Sequence, residues 1–249
     1  MREDSEMNLF TEMLEKYKKL HFSLIDPDKQ SFEEAGKRAK TCARYGSNAI
    51  MIGGTTVNDS KTVFNTIDSI KKNTSLPTII FPNSADTLAQ NADYIFFMKL
   101  LNAKDDKYQI VEQMKGAPVI KKWNIIPIPT AYLIISTSKN PTTVEKNVEL
   151  HKIGRDDIKK AVEYSIYAEM SGMSCIYLEA GSDAERPVST EMIAEIRKQV
   201  KIPIIVGGGI KDPLIAKEKT MAGADVIVNG TATEENIQII KNIIQSIRS

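Results

Sequence analysis

The sequence predicts an α/β fold: a single-domain (β/α)8 TIM barrel with an extra helix at its N-terminus. Three observations carry that expectation. Short apolar, β-branched runs alternate with segments of helical period, and eight such runs can be counted, the pattern of a closed parallel sheet wrapped by helices. The last two runs, 202–206 and 225–228, lead into glycine turns, Gly207-Gly208-Gly209 and Gly230-Thr231, where barrels of this class often build a phosphate site. The length of 249 residues matches one such barrel, which typically needs about 250. An open doubly wound sheet would place its glycine turn after the first strand, but Asp26-Pro27-Asp28-Lys29 stands there. The chain divides into an N-terminal tail and helix, 1–20, and a catalytic barrel, 21–249.

Taken in order, residues 1–6 form a polar tail, and 7–20 set Leu9, Phe10, Met13, Leu14, Tyr17 and Leu20 on one helical stripe, suited to plugging the barrel floor. Strand one is 21–26. Ser31 and Glu34 make a capping box for a helix that runs to Tyr45 and stops at Gly46. Strand two, 49–52, ends in Gly53-Gly54-Thr55-Thr56, and a helix covers 60–72. Strands three and four are 77–81 and 94–98, with a short helix at 85–91 between them. A helix follows over 107–116, and strand five lies within 125–135, irregular at its start because of Pro127 and Pro129. Residues 136–141 read as a loop over the active face, with a short helix after it. Helix 155–170, strand six at 174–179 and helix 189–200 come next; a final helix spans 236–247 with Thr233 as its cap.

Composition narrows the partners. The apolar and charged fractions, 42% and 26%, are those of an ordinary soluble domain. A net charge of +1 provides no field for nucleic acid. Cys42 and Cys175 fall in a helix and a strand, which suits buried, reduced thiols of a cytoplasmic protein. The two histidines, His21 and His151, are far apart, and no Cys/His metal cluster is present. Neither a secretory leader nor an apolar run of membrane-spanning length is evident.

In a barrel the strand C-termini share one face, which would gather Asp26, Asp28, Thr55, Lys99, Thr130, Tyr177, Glu179, Ser182, Gly208 and Thr231 around one mouth. The paired glycine turns suit a phosphate cup, because glycine lets backbone N–H groups approach an anion. Asp26 is a hard oxygen donor with the Thr55 hydroxyl on the next strand end. Mg2+ takes few protein carboxylates and leaves positions for substrate phosphates, so this pair suits a diphosphate carried in with Mg2+. Asp26 also reads as a cap for the turn that Pro27 begins, and Asp28 reads as a cap or surface residue rather than a ligand. Glu179 ends an apolar strand and can serve as a general base, or as an ion-paired interior acid. Tyr177 shares its face by the two-residue period of a strand. The phosphate compound itself stays open: a glycerol phosphate, a ribose phosphate or a flavin mononucleotide.

Together the motifs Leu24-Ile25-Asp26-Pro27-Asp28-Lys29, Ile52-Gly53-Gly54-Thr55, Ile128-Pro129-Thr130-Ala131-Tyr132, Tyr177-Leu178-Glu179-Ala180-Gly181-Ser182, Gly207-Gly208-Gly209-Ile210 and Gly230-Thr231 resemble the geranylgeranylglyceryl phosphate synthase family, archaeal ether-lipid prenyltransferases, with the bacterial heptaprenylglyceryl phosphate synthases as close relatives. The resemblance runs from the first strand to the last. It implies a (β/α)8 fold and transfer of a geranylgeranyl group from geranylgeranyl diphosphate to the C3 hydroxyl of sn-glycerol 1-phosphate. It implies Asp26 and Thr55 as Mg2+ ligands. Tyr177, Leu178, Glu179, Ala180, Gly181, Ser182, Asp183, Gly208, Gly209, Gly230 and Thr231 would form the glycerol phosphate site, with Glu179 orienting or deprotonating the hydroxyl and Tyr177 beside it. A homo-oligomer, dimer or hexamer, and transient membrane contact accompany that reading. Three departures stand out: Leu24 where some relatives carry Lys, Asp183 where the family often has Gly, and Ser136-Thr137-Ser138-Lys139 where a Val-Glu-Pro-Gly type of sequence is common. Two other readings compete: a flavin mononucleotide-dependent or other phosphate-binding barrel enzyme, and a non-catalytic binder of a phosphate ligand. An apolar groove for the prenyl chain would draw on Tyr94, Phe96, Phe97 and Tyr132.

Overall fold

A computed structural model describes residues 9–182 and 184–249. The tail 1–6, the expected helix start at Met7, and Asp183 lie outside the described residues. Eight parallel strands close in sequence order: β1 (Leu20–Ile25), β2 (Ala49–Ile52), β3 (Thr78–Ile80), β4 (Tyr94–Leu100), β5 (Ile126–Ile134), β6 (Cys175–Glu179), β7 (Ile204–Gly207) and β8 (Val226–Asn229). Closure is made by β1 on β8, with Leu20 opposite Val226 and Ser23 opposite Asn229. The helices are α1 (Leu9–Tyr17), α2 (Phe32–Tyr45), α3 (Ser60–Asn73), α4 (Val111–Trp123), α5 (Thr143–Asn147), α6 (Ile158–Met170), α7 (Thr190–Gln199), α8 (Pro213–Met221), α9 (Thr231–Glu235) and α10 (Ile237–Ile247).

The two-residue period of each strand sorts side chains into two layers. Leu20 and Phe22 point into the barrel with Met51, Ile79, Phe96, Tyr177, Ile205 and Val226. Ile25, Ile50, Ile52 and Ile95 point out, against Ala35, Ala39, Val63 and Ile67 of α2 and α3. Met13 and Leu14 of α1 pack on the interior cluster, so this helix plugs the barrel floor; it ends at Tyr17, which is exposed, and Leu20 of the expected stripe opens β1 instead.

Local sequence explains where the helices begin and end. Ser31 and Glu34 form the capping box of α2, and Gly46 ends it at φ 101°. Four expectations need correction. The segment after β3 carries only a single helical turn, Ala85–Thr87, because Leu88 and Ala89 turn inward to pack on the core. The predicted helix 107–116 does not stop at Gly116; α4 runs on to Trp123 through Pro118. Pro118 is tolerated because it is exposed, so water can serve the carbonyl it leaves unbonded. Helix α6 begins at Ile158, not at Arg155. Asn236, not Thr233, caps α10, its side chain accepting from the Gln238 N–H; Thr233 is buried inside α9.

Candidate active site

The C-terminal strand ends surround a cavity of about 290 Å3. Asp26, Thr55, Tyr177, Glu179, Gly181 and Ser182 line it, and Gly208, Gly209, Gly230 and Thr231 complete the wall. Ten of the predicted residues therefore meet in one place.

Others do not. Leu178 and Ala180 alternate outward into the core between β6 and its helices, so their side chains cannot touch a ligand in the cavity. Thr130 is buried lower in the barrel, donating to the Ile128 carbonyl and 3.4 Å from Cys175 Sγ. Lys99 lies on the outer wall, in a groove with Tyr164 and Tyr167. Asp28 is exposed, and its N–H donates to the Asp26 carboxylate.

Glu179, the acid expected to serve as base, faces this cavity. Its Oε1 accepts from the Gly181 N–H at 2.6 Å. Burial raises its pKa to about 7, with the Gly181 N–H and the nearby Tyr177 hydroxyl pulling the other way. Tyr177 is fully buried, and its hydroxyl has no well-aligned hydrogen-bond partner among the described residues. Proximity couples the two groups: a Cβ on Gly207 would stand 2.6 Å from the Tyr177 Oη and 2.7 Å from the Glu179 Oε2. Gly207 thus makes room for both.

The expected phosphate cup would be built more by backbone than by a helix end. Gly208 and Gly209 have φ of 83° and 69°, the left-handed region that glycine enters freely. The first amides of α8 are not available to a ligand, because the Asp212 side chain accepts from the Leu214 and Ile215 N–H groups. Across the mouth, Thr231 Oγ1 donates to the Ser182 carbonyl at 3.3 Å, tying the β6 and β8 loops together.

Sequence reasoning passed over several lining residues. Lys29 and Lys211 bring positive charge to the rim, and both reach α9 or its end, pairing with Glu234 and Glu235 at 3.2 and 3.0 Å. Thr142, Thr143 and Val144 close the mouth from the β5 side. The capping box of Thr142 and Glu145 was the available signal for an ordered turn there.

Asp26 and Thr55 fit a hard cation of low coordination by protein. Asp26 caps the turn Pro27–Lys29 through the Asp28 N–H and still faces the cavity, so its two readings coexist. Burial raises its pKa above the ordinary carboxylate value, partly offset by the Asp28 N–H and Lys29; a bound cation would reverse that shift. Gly54 leaves the space the carboxylate occupies, since a Cβ there would lie 2.3 Å from Asp26 Oδ1. No cluster of three or more His, Cys, Asp or Glu able to hold a metal is found among the described residues, so any ion here would complete its shell with water and ligand oxygens, as Mg2+ does.

A second cavity, about 170 Å3 and predominantly apolar, opens beside the first. It occupies the gap left where no full helix follows β3. Phe96, Phe97, Leu88 and Ile120 line it, and Gly54, Thr55, Phe81, Tyr132 and Val144 line both cavities. Of the four aromatics expected in an apolar groove, Tyr94 is the exception: it begins β4 at the opposite barrel end and packs on the interior cluster.

Residues 12–247 match the PcrB family. The chain belongs to the PcrB family. This PcrB-family chain is 44% identical over 224 residues to the geranylgeranylglyceryl phosphate synthase of Pyrococcus horikoshii, which spans 90% of this chain and 87% of that one. It is 39% identical over 248 residues to the geranylgeranylglyceryl phosphate synthase of Thermoplasma volcanium, with 98% and 97% covered. In three dimensions it is similar to the (S)-3-O-geranylgeranylglyceryl phosphate synthase of Thermoplasma acidophilum, solved in complex with its substrate sn-glycerol-1-phosphate. The TM-score is 0.91 at 36% identity, covering 97% of this chain and 99% of that one.

Proposed function

We propose that this PcrB-family chain is a Mg2+-dependent prenyltransferase that joins C1 of geranylgeranyl diphosphate to the C3 hydroxyl of sn-glycerol 1-phosphate. The observation that carries the reading is the junction, at Gly54, Thr55, Phe81, Tyr132 and Val144, of the cavity that holds Asp26, Glu179 and the glycine turns with a second, more apolar one. Family membership and the bound glycerol phosphate of the Thermoplasma acidophilum relative support the same assignment.

The geometry supports the following reaction. The backbone at Gly208 and Gly209 and at Gly230-Thr231 holds the glycerol phosphate, leaving its C3 hydroxyl near Glu179. With a pKa of about 7, Glu179 is close to the pH at which a base both exists deprotonated and accepts a proton readily. It takes the hydroxyl proton as the C3 oxygen bonds to C1 of the allylic chain, and the C1–O bond to diphosphate breaks with its electron pair. Asp26 and Thr55 would hold Mg2+, which when bound supplies positive charge for the departing diphosphate. The prenyl chain lies in the apolar cavity against Phe96, Phe97 and Tyr132. The protein works in the cytoplasm as a homo-oligomer, with Tyr167 and Met170 of α6, both exposed, as apolar surface for assembly.

Diphosphate release tests this reading: purified protein is given geranylgeranyl diphosphate and each glycerol phosphate isomer in turn, with and without Mg2+. Release that needs Mg2+ and sn-glycerol 1-phosphate, with the ether as product, is expected. A folded protein that forms no ether at any prenyl length, or one that purifies with bound flavin, overturns it.

A further inference from the structure

Helix α4 has two unlike faces. Its inner face, through Gln113, Gly116 and Ile120, walls the apolar cavity. Its outer face carries Val111 and Met114, 39% and 66% exposed, continued by Ile110, 47% exposed, in the residue before it. Lys107, Lys115, Lys121 and Lys122 flank those side chains and are all exposed. Within α4 the positions 111, 114, 118 and 122 recur every three to four residues, so Val111, Met114, Pro118 and Lys122 form one stripe, and Lys107 stands on the single turn Asp106–Tyr108 that precedes the helix.

Resting on the prenyltransferase reading, we propose that the outer face of α4 docks on an anionic lipid bilayer and brings the apolar cavity to the membrane surface. Lysines among exposed apolar side chains suit that partner: the alkyl stems lie along the apolar groups while the ammonium heads reach anionic headgroups. A protein partner fits less well, because interface cores are depleted of lysine. Segment 104–122 has five lysines against three acids; Glu112 accepts from the Ala85 N–H at 2.8 Å and pairs with Lys115 at 2.9 Å, and Lys104 pairs with Glu149, so Lys107, Lys121 and Lys122 are the lysines offered to headgroups. Continuity with the cavity adds the second argument. The helix that walls the binding space for a water-insoluble chain also presents the basic, apolar stripe, so a substrate leaving the bilayer crosses one helix thickness and little water.

Vesicle flotation tests the proposal in the absence of substrate. Two vesicle types are compared at low and high salt, phosphatidylcholine alone and phosphatidylcholine with phosphatidylglycerol. Wild-type protein is expected to float with the anionic vesicles and to be released by salt. Lys121→Glu with Lys122→Glu should weaken that binding by roughly fivefold or more per lysine. Val111→Glu with Met114→Glu should also abolish flotation. Both double variants should keep wild-type turnover on a short, water-soluble prenyl diphosphate and lose it on geranylgeranyl diphosphate presented in vesicles. No flotation of the wild type with either vesicle, or equal flotation of the variants, overturns the proposal. Sedimentation provides a further check: if Val111→Glu with Met114→Glu dissociates an oligomer, the face joins copies of this chain and the bilayer assignment fails. The soluble-substrate assay separates the two readings, since a wild type that floats but makes no ether defeats the reaction and not the docking.

Discussion

Glu179 and Gly208 compete for one position: a Cβ on Gly208 would lie 2.5 Å from Glu179 Oε1 and 2.6 Å from the Gly181 backbone nitrogen, the donor that holds that carboxylate. The glycine therefore serves the acid as well as the turn. Gly208→Ala should strain the left-handed backbone by about 1–2 kcal/mol and displace Glu179 from the Gly181 N–H. Thermal melting should record a modest drop in Tm, with a much larger fall in turnover. A variant that melts lower yet keeps wild-type turnover would separate the turn from the chemistry.

Glu179→Gln should lose turnover by about 10²–10⁴-fold, the usual contribution of a general base, while becoming more stable above neutrality. The sign follows from the direction of the shift. Folding raises the Glu179 pKa from 4.5 to about 7, so between those values the native state holds a proton that the unfolded state has released. Stability from this group is greatest at or below pH 4.5, falls as pH rises through that window, and the deficit is complete above pH 7, at roughly 3 kcal/mol. Gln has no such penalty. Urea denaturation of both proteins at pH 5 and pH 8 measures it: the variant's advantage should appear at pH 8 and shrink at pH 5. An equal difference at both values would show that Glu179 titrates normally.

Tyr177→Phe removes a buried hydroxyl that lacks a well-aligned partner, so its cost to stability should be small. Its effect should instead appear in the pH profile. The hydroxyl holds the Glu179 pKa down, and its loss should move the alkaline rise of turnover to higher pH. A profile identical to that of the wild type would leave Tyr177 only a packing role among Phe81, Phe96 and Tyr132, whose ring centroids lie within 6.2 Å of its own.

The barrel was legible because its signals are local. The capping box at Ser31 and Glu34, the β-branched runs and the glycines at 207–209 each act over a few residues. The strand period even predicted that Tyr177 and Glu179 share a face. The same period should have excluded Leu178 and Ala180 from the cavity; the motif resemblance included them as a block. Failures came where tertiary packing decided. Leu88 and Ala89 give up a helix to reach the core, Pro118 is tolerated only because its face is exposed, and Lys99 points away from the mouth. The roles of Gly54 and Gly208 in giving space to acids from other strands depend on distances that no sequence spacing encodes.

Asp26 and Gly54 make the metal assignment testable without touching the phosphate cup. Asp26→Asn keeps the shape of the side chain, and its amide can still accept from the Asp28 N–H, so the turn Pro27–Lys29 should persist. Gly54→Ala leaves the carboxylate in place chemically but puts a Cβ 2.3–2.4 Å from all three of its terminal atoms, which must push it aside. Both variants should therefore raise the Mg2+ concentration needed for diphosphate release. For Gly54→Ala the rise should be roughly 10–100-fold, the usual cost of disturbing a group that orients a metal ligand. Glycerol phosphate binding, followed by calorimetry without Mg2+, should stay unchanged in both, since the proposed phosphate cup lies at the β7 and β8 turns. Wild-type Mg2+ dependence in Asp26→Asn would remove Asp26 from the ion's shell. Loss of glycerol phosphate binding in either variant would mean that the two subsites are not separate, and that Asp26 works on the acceptor itself.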